Sequence, residues 1–288
     1  IGSEIPEVGE VIDAEGLFLI PGIIDPQVHF REPGADHKED LHSGSCAAAA
    51  GGVTSFLDMP NNNPPVTTIK RMAEKKQLAA EKSVVNYGFF IGATPDNLEE
   101  LNAVENVCGI KVFMGASTGD LLVDDPKILE NIFANGNKLI AVHAEDENIL
   151  QENRRLMNGI NDLRIHSRIR DESAALSATK LAVRLSIKYH RRLHILHLTT
   201  EEECDFLRTL PREHHISTEV CPQHLLLTSP ECYEDLGTKA QMNPPIRSKR
   251  HNVALWQALK DGIIDCIATD HAPHTLAEKE QPYGRSPS

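Results

Sequence analysis

Nothing in the 288-residue chain approaches the roughly 20 consecutive apolar residues of a membrane span, which excludes a transmembrane helix. A glycine-rich phosphate loop is missing too. Neither GxGxxG nor a P-loop follows any apolar run, which removes the usual nucleotide-binding α/β proteins. The six cysteines (Cys46, Cys108, Cys204, Cys221, Cys232, Cys266) contain no CxxC pair and no framework spacing. A disulfide scaffold and a thiolate-held structural zinc are therefore disfavoured, and reduced thiols in a cytoplasmic protein are expected. Positive charge is scarce: 29 Lys and Arg stand against 42 Asp and Glu, a net charge of −13, and no basic stripe occurs. Nucleic acid is thus not an expected partner. An anionic substrate would be repelled at long range and would need a dedicated local cation. A signal peptide is not expected, and no interdomain linker interrupts the chain.

What remains is ordinary globular composition, 40% hydrophobic and 25% charged, long enough for one large barrel. Eight short apolar runs, at 19–25, 53–59, 84–91, 109–114, 139–143, 193–197, 216–220 and 264–269, are bounded by turn residues or helical patterns and read as strands. Helix starts are signalled by Thr94 before Pro95, by Asp125 before Pro126, and by a capping box over Thr200-Glu201-Glu202-Glu203. Residues 171–190 place Ala175, Ala178, Ala182 and Leu185 on one helical face. Strand and helix in alternation imply a parallel sheet with right-handed crossovers. The count of eight favours closure into a (β/α)₈ barrel, although the periodicity also fits an open doubly wound sheet. Residues 1–18 read as a strand and turn outside the barrel. The chain starts without methionine and ends in a loop-like Pro/Gly/Ser stretch, so a fragment of a longer protein is expected.

Five residues competent to bind metal each close an apolar run: His29, Lys111, His143, His197 and Asp270. Such side chains at the C-terminal ends of parallel strands are how a catalytic site on a barrel rim looks in sequence. A lone histidine in that position is more often a hydrogen-bonded core or surface residue. His37, His42, His166, His190, His214, His215, His224 and His251 are read in that way, and five such positions together reverse the expectation for the site set. Lys111 could equally be a barrel-lining lysine paired with an acid. Arg31 could close a salt bridge with Glu32, and Asn61 could serve only in a turn. The Arg164, Arg168 and Arg170 group reads most simply as a solvated helix face or loop.

Five ordered motifs make a family resemblance specific. They are Pro21-Gly22-Ile23-Ile24-Asp25, Gln27-Val28-His29-Phe30-Arg31-Glu32-Pro33-Gly34, Asp58-Met59-Pro60-Asn61, Asn243-Pro244-Pro245-Ile246-Arg247 and Ala268-Thr269-Asp270-His271-Ala272-Pro273-His274. The chain resembles, over nearly its whole length, the dihydroorotase family of the cyclic amidohydrolase superfamily. That resemblance implies a (β/α)₈ barrel over 19–288, truncated at its C-terminal side, beside a small β-sandwich of which 1–18 are a remnant. It also implies reversible hydrolysis of dihydroorotate to N-carbamoyl-aspartate with zinc, and a homodimer as the assembly to expect.

Residue roles follow from the same resemblance. His29 with Asp270 would hold one Zn²⁺ and His143 with His197 a second. Lys111 would bridge them as a carboxylated amine, since a free ammonium has no lone pair to donate. A zinc-bound water with its pKa lowered toward ~7 is the implied nucleophile, and Asp270 the implied general base and acid. Arg31 would grip the substrate carboxylate, with Asn61 and His274 as further donors and Asn243 reading the amide edge of the ring. One position departs from the family pattern. Gln27 stands where a histidine is usual, and its amide oxygen is a poorer zinc ligand than imidazole. The alternatives are a hydantoinase or allantoinase, against which Arg31 argues, and a non-catalytic structural homologue, for which Gln27 is the hint.

Overall fold

The structure, a computed structural model, describes residue 9 and residues 14–116, 121–211 and 215–288. The expected strand near residues 10–16 falls for the most part outside the described residues, as does His214. Within them, residues 14–17 form a turn closed by Leu17 N donating to Ala14 O at 2.9 Å.

Eight strands are present: β1 (Ile23–Val28), β2 (Val53–Asp58), β3 (Asn86–Gly92), β4 (Gly109–Phe113), β5 (Ile140–His143), β6 (Leu193–Ile195), β7 (Ile216–Val220) and β8 (Cys266–Ile267). They run parallel in simple sequence order from β1 to β8. The helices between them are α1 (Leu41–Ala50), α2 (Ile69–Lys82), α3 (Leu98–Ala103), α4 (Pro126–Ala134), α5 (Glu147–Leu156), α6 (His166–Ile169), α7 (Glu172–Tyr189), α8 (Glu201–Arg208), α9 (Pro222–Leu226), α10 (Glu231–Leu236), α11 (Lys249–Lys260) and α12 (Leu276–Lys279). The alternation is that of a (β/α)₈ barrel. Among the described residues no helix is long and apolar enough to cross a membrane.

Local chemistry accounts for most boundaries. Asp125 accepts from Lys127 N and Ile128 N ahead of Pro126, and Thr200 with Glu203 closes the capping box of α8. Asp171 caps α7, whose Ala175, Ala178, Ala182 and Leu185 are buried. Two expectations are corrected. Thr94 does not start a helix: its N–H donates to Asn97 Oδ1, and α3 begins only at Leu98. The first strand starts at Ile23 rather than residue 19, because Leu19 and Ile20 are exposed and Pro21 supplies no N–H for a ladder.

Side chains alternate across the barrel wall with period two. Ile110, Val112, Ile140, Val142, Leu193 and Ile195 point outward into the main core under the helices. Met59, Phe90, Ala141 and Leu196 form a separate cluster that fills the barrel interior. Lys111, between Ile110 and Val112, is therefore carried inward.

The wall has one weak seam. Between β8 and β1 the contact is an isolated bridge of Val28 with His271, joined by His29 N donating to His271 O at 2.7 Å. Thr269 completes it, donating from N and Oγ1 to the two oxygens of Asp25 at 3.1 and 2.6 Å.

Candidate active site

The rim at the C-terminal ends of the strands surrounds a cavity of about 320 Å³. Its wall includes Gln27 of β1 and His29 just past it, Lys111 of β4, His143 of β5, His197 beyond β6 and Asp270 beyond β8. Arg31, Asn243, His274 and Lys279 line it as well. Of the residues singled out in sequence, only Asn61 is not on this wall. Its Oδ1 instead accepts from His29 Nδ1 at 2.5 Å.

His29 Nε2 faces Asp270 Oδ1 at 2.9 Å, and Gln27 Nε2 donates to the same oxygen at 3.0 Å. Burial pushes the Asp270 carboxyl up, but the His29 bond and charge, with His197 and Lys111 behind them, outweigh it and leave it at about 2. Gln27 Oε1 is buried without a partner. His143 Nδ1 and His197 Nε2 lie 3.0 Å apart, and burial depresses both imidazoles, His197 well below its ordinary value. His197 and Asp270 both adopt positive φ (36° and 49°), uncommon for residues other than glycine.

Lys111 is 1% exposed. Desolvation lowers its amine to about 8 against the pull of Asp270, Glu219 and Cys221. Among the described residues no carboxylate forms an ion pair with it, and its Nζ lies 4.6 Å from the centre of the Phe113 ring. The reading of Lys111 as an ordinary lysine paired with an acid thus finds no partner.

Arg31 does not pair with Glu32, which instead accepts from Leu41 N and meets Lys82. The guanidinium donates from Nε to Pro273 O at 2.9 Å and meets His274 Nε2 through Nη2 at 3.1 Å. Lys38 Nζ lies 3.1 Å from His274 Nδ1, and Lys279 donates to Gln241 O and Pro287 O. Arg31 and Lys279 thus bring two cations to this side of the cavity within a chain of net charge −13, whereas Lys38 is paired with Glu278 at 3.1 Å. Across it, Asn243 has a buried Oδ1 and lies beside His166.

Two residues that sequence reasoning passed over touch the site. Glu145, fully buried, accepts at 2.7 Å from His143 Nε2. Arg170, read in sequence as solvated, is 4% exposed and paired with Glu145, whereas Arg164 and Arg168 are exposed. The one signal for Glu145 is its place two residues after His143, on the same side of an extended chain. Deeper in the barrel, His194, Glu219 and Cys266 of three adjacent strands bring donor atoms within 4.8 Å of one another. There His194 bonds Ser217 Oγ and Glu219, which makes it part of an interior hydrogen-bond network.

The model of the amidohydrolase family matches residues 18–287, and the chain belongs to that family. A dihydroorotase from Methanosarcina acetivorans is 38% identical over 96% of this chain and 62% of that protein. An allantoinase from Streptomyces avermitilis is 34% identical over 98% of this chain and 64% of that protein. Among solved structures, the L-hydantoinase (dihydropyrimidinase) from Arthrobacter aurescens superposes with a TM-score of 0.91 at 28% identity, covering 97% of this chain and 64% of that one. The chain thus spans a little under two thirds of the length of these three proteins.

Proposed function

We propose that the barrel is the catalytic body of a zinc-dependent cyclic amidohydrolase that reversibly opens dihydroorotate to N-carbamoyl-aspartate, a step of pyrimidine synthesis in the cytoplasm. The observation that carries the reading is the pairing, in one cavity, of a metal-competent donor set with a cationic wall. The donors fit a divalent cation. Two facing imidazoles are kept neutral by burial, a carboxylate is kept ionised, and Gln27 Oε1 has no protein partner. The holding residues would be His29, His143, His197 and Asp270, with Lys111 as a carboxylated bridge and Gln27 as a weak contributor. When bound there, the ion lowers the pKa of a coordinated water and polarises the amide carbonyl.

The chain's own groups do the rest. Asp270, ionised and oriented by Gln27, accepts the proton of the attacking water and passes it to the ring nitrogen as the amide bond breaks. Arg31 is braced by Pro273 O and offers its remaining N–H groups to the substrate carboxylate, with His274 beside it. Asn243 offers its side-chain amide to the edge of the ring. A neutral cyclic ureide would offer the Arg31 guanidinium no carboxylate, although likeness to an allantoinase and a hydantoinase makes those substrates the natural controls.

The test is turnover of dihydroorotate against hydantoin and allantoin, with zinc supplied and with chelator. Dihydroorotate alone should be opened at a useful rate, and chelation should abolish it. Each charge-assisted hydrogen bond is worth ~1.5–3 kcal/mol, so losing the two of a forked grip in Arg31→Ala should lower kcat/KM for dihydroorotate roughly 10²- to 10⁴-fold with zinc retained. Preference for a neutral ureide, or turnover indifferent to Arg31, refutes the substrate assignment. A folded protein that binds no zinc and turns over nothing refutes the enzyme reading.

A further inference from the structure

Glu145 lies behind the cavity wall and touches the imidazole that forms part of it. β5 ends at His143, and the extended chain returns residue 145 to the same side, so that Glu145 Oε2 meets His143 Nε2 at 2.7 Å. Both residues are at most 1% exposed. Arg170 clasps the carboxylate from behind, with Nε at 3.0 and 3.2 Å from its two oxygens and Nη2 also in contact. Arg170 is itself fixed at both ends. Its Nη2 donates to Ala116 O at 2.9 Å, and its backbone carbonyl accepts from Arg247. Gly115 closes the packing, since a Cβ there would come within 2.6 Å of Glu145 O. Segments following β4, β5 and β7 are thus tied together behind one histidine.

A carboxylate gripped by a guanidinium is an acceptor only, and at 2.7 Å it is a far nearer partner of Nε2 than the Arg170 Nη2 donor at 3.4 Å, so that nitrogen carries the proton. In a neutral imidazole the other nitrogen is then a bare lone pair. That nitrogen is Nδ1, the atom that stands 3.0 Å from His197 Nε2. We propose that Glu145, held by Arg170, is a positioning residue that fixes His143 as the Nε2–H tautomer and sets its ring plane, so that Nδ1 is the donor presented to the cavity. The consequence for metal affinity rests on the zinc reading above, whereas the tautomer does not.

The test has an arm for each. Long-range ¹H–¹⁵N spectra of histidine-labelled, metal-free full chain should show His143 as a single Nε2–H tautomer. An Nδ1–H form in the unaltered protein overturns the proposal without any variant. Glu145→Leu keeps the volume but removes the acceptor, so His143 should become a tautomer mixture and zinc affinity by chelator competition should fall about 10- to 100-fold. Glu145→Gln, whose amide oxygen still accepts, should restore the single tautomer and most of the affinity. Affinity unchanged within about twofold in a folded Glu145→Leu protein overturns the positioning role. A single Nε2–H tautomer in a protein that binds no zinc would support the positioning and refute the metal reading instead.

Discussion

Replacing Lys75 by methionine tests how the barrel supports its site. Lys75 on α2 is 1% exposed and Asp58 at the end of β2 is fully buried, with Nζ 2.7 Å from Oδ2. The same ammonium donates to Met59 O at 3.1 Å and to Asn62 Oδ1 at 2.6 Å, while Asp58 Oδ1 accepts from Phe30 N at 3.0 Å. The pair therefore pins the segment after His29 and the turn that carries Asn61. Burial raises the Asp58 carboxyl and lowers the Lys75 amine, and their mutual attraction opposes both shifts. Removing the lysine strands a carboxylate with no water to turn to, and breaking a buried pair on one side costs about 3–5 kcal/mol. Replacing both partners by groups of similar volume is often close to neutral. Lys75→Met should thus be destabilised by that amount in denaturant unfolding near neutral pH, and Lys75→Met with Asp58→Asn should regain most of it. The single variant should also lose less at acid pH, because a protonated Asp58 needs no counter-ion. If Lys75→Met unfolds within about 1 kcal/mol of the parent, or the double variant is worse than the single, the reasoning is wrong.

Acid should weaken the fold through two buried histidines outside the cavity. Burial depresses His166, aided by Arg170, and His224 to about 4, against ~6.5 in an unfolded chain. Their contribution is intact above about pH 6.5 and is lost as pH falls toward 4, by on the order of 3 kcal/mol for each when complete. Denaturant unfolding of the parent and of His166→Asn across that window should show the shallower slope in the variant, and equal slopes would refute the assignment. Gln27→His should tighten zinc at least about tenfold, or ~1.4 kcal/mol, because imidazole replaces an amide oxygen. Chelator competition reads this directly, and an unchanged or weaker affinity would mean that residue 27 does not face the metal.

Much of the architecture was legible because its signals are local. Short apolar runs bounded by turn residues located all eight strands, and side-chain caps such as Asp125 and Thr200 fixed helix starts to the residue. Boundaries set by tertiary contact were not legible. Asn97, whose amide donates to Thr67 O and Gly92 O, delays α3 past the apparent signal at Thr94. The cavity residues were legible because each lies in or just past a short apolar strand, so one topology brings His29, Lys111, His143, His197 and Asp270 to one cavity. Arg170 was not, because it sits in an arginine-rich stretch that looks solvated and acquires its meaning only from Glu145, 25 residues earlier. Lys75 is a comparable case: on a helix rich in charge, nothing local distinguishes the one lysine that is buried.

The join between the last and first strands ties closure of the wall to assembly of the proposed site. Its fastenings are Thr269 on Asp25 and His29 on His271, immediate chain neighbours of Asp270 or part of the cavity itself. A chain that has stacked seven intervals of the cylinder but has not locked the eighth holds His143 and His197 in register while His29 and Asp270 still stand on opposite lips of a gap. The donor set of the proposed site is thus complete only in a cylinder whose final latch is closed.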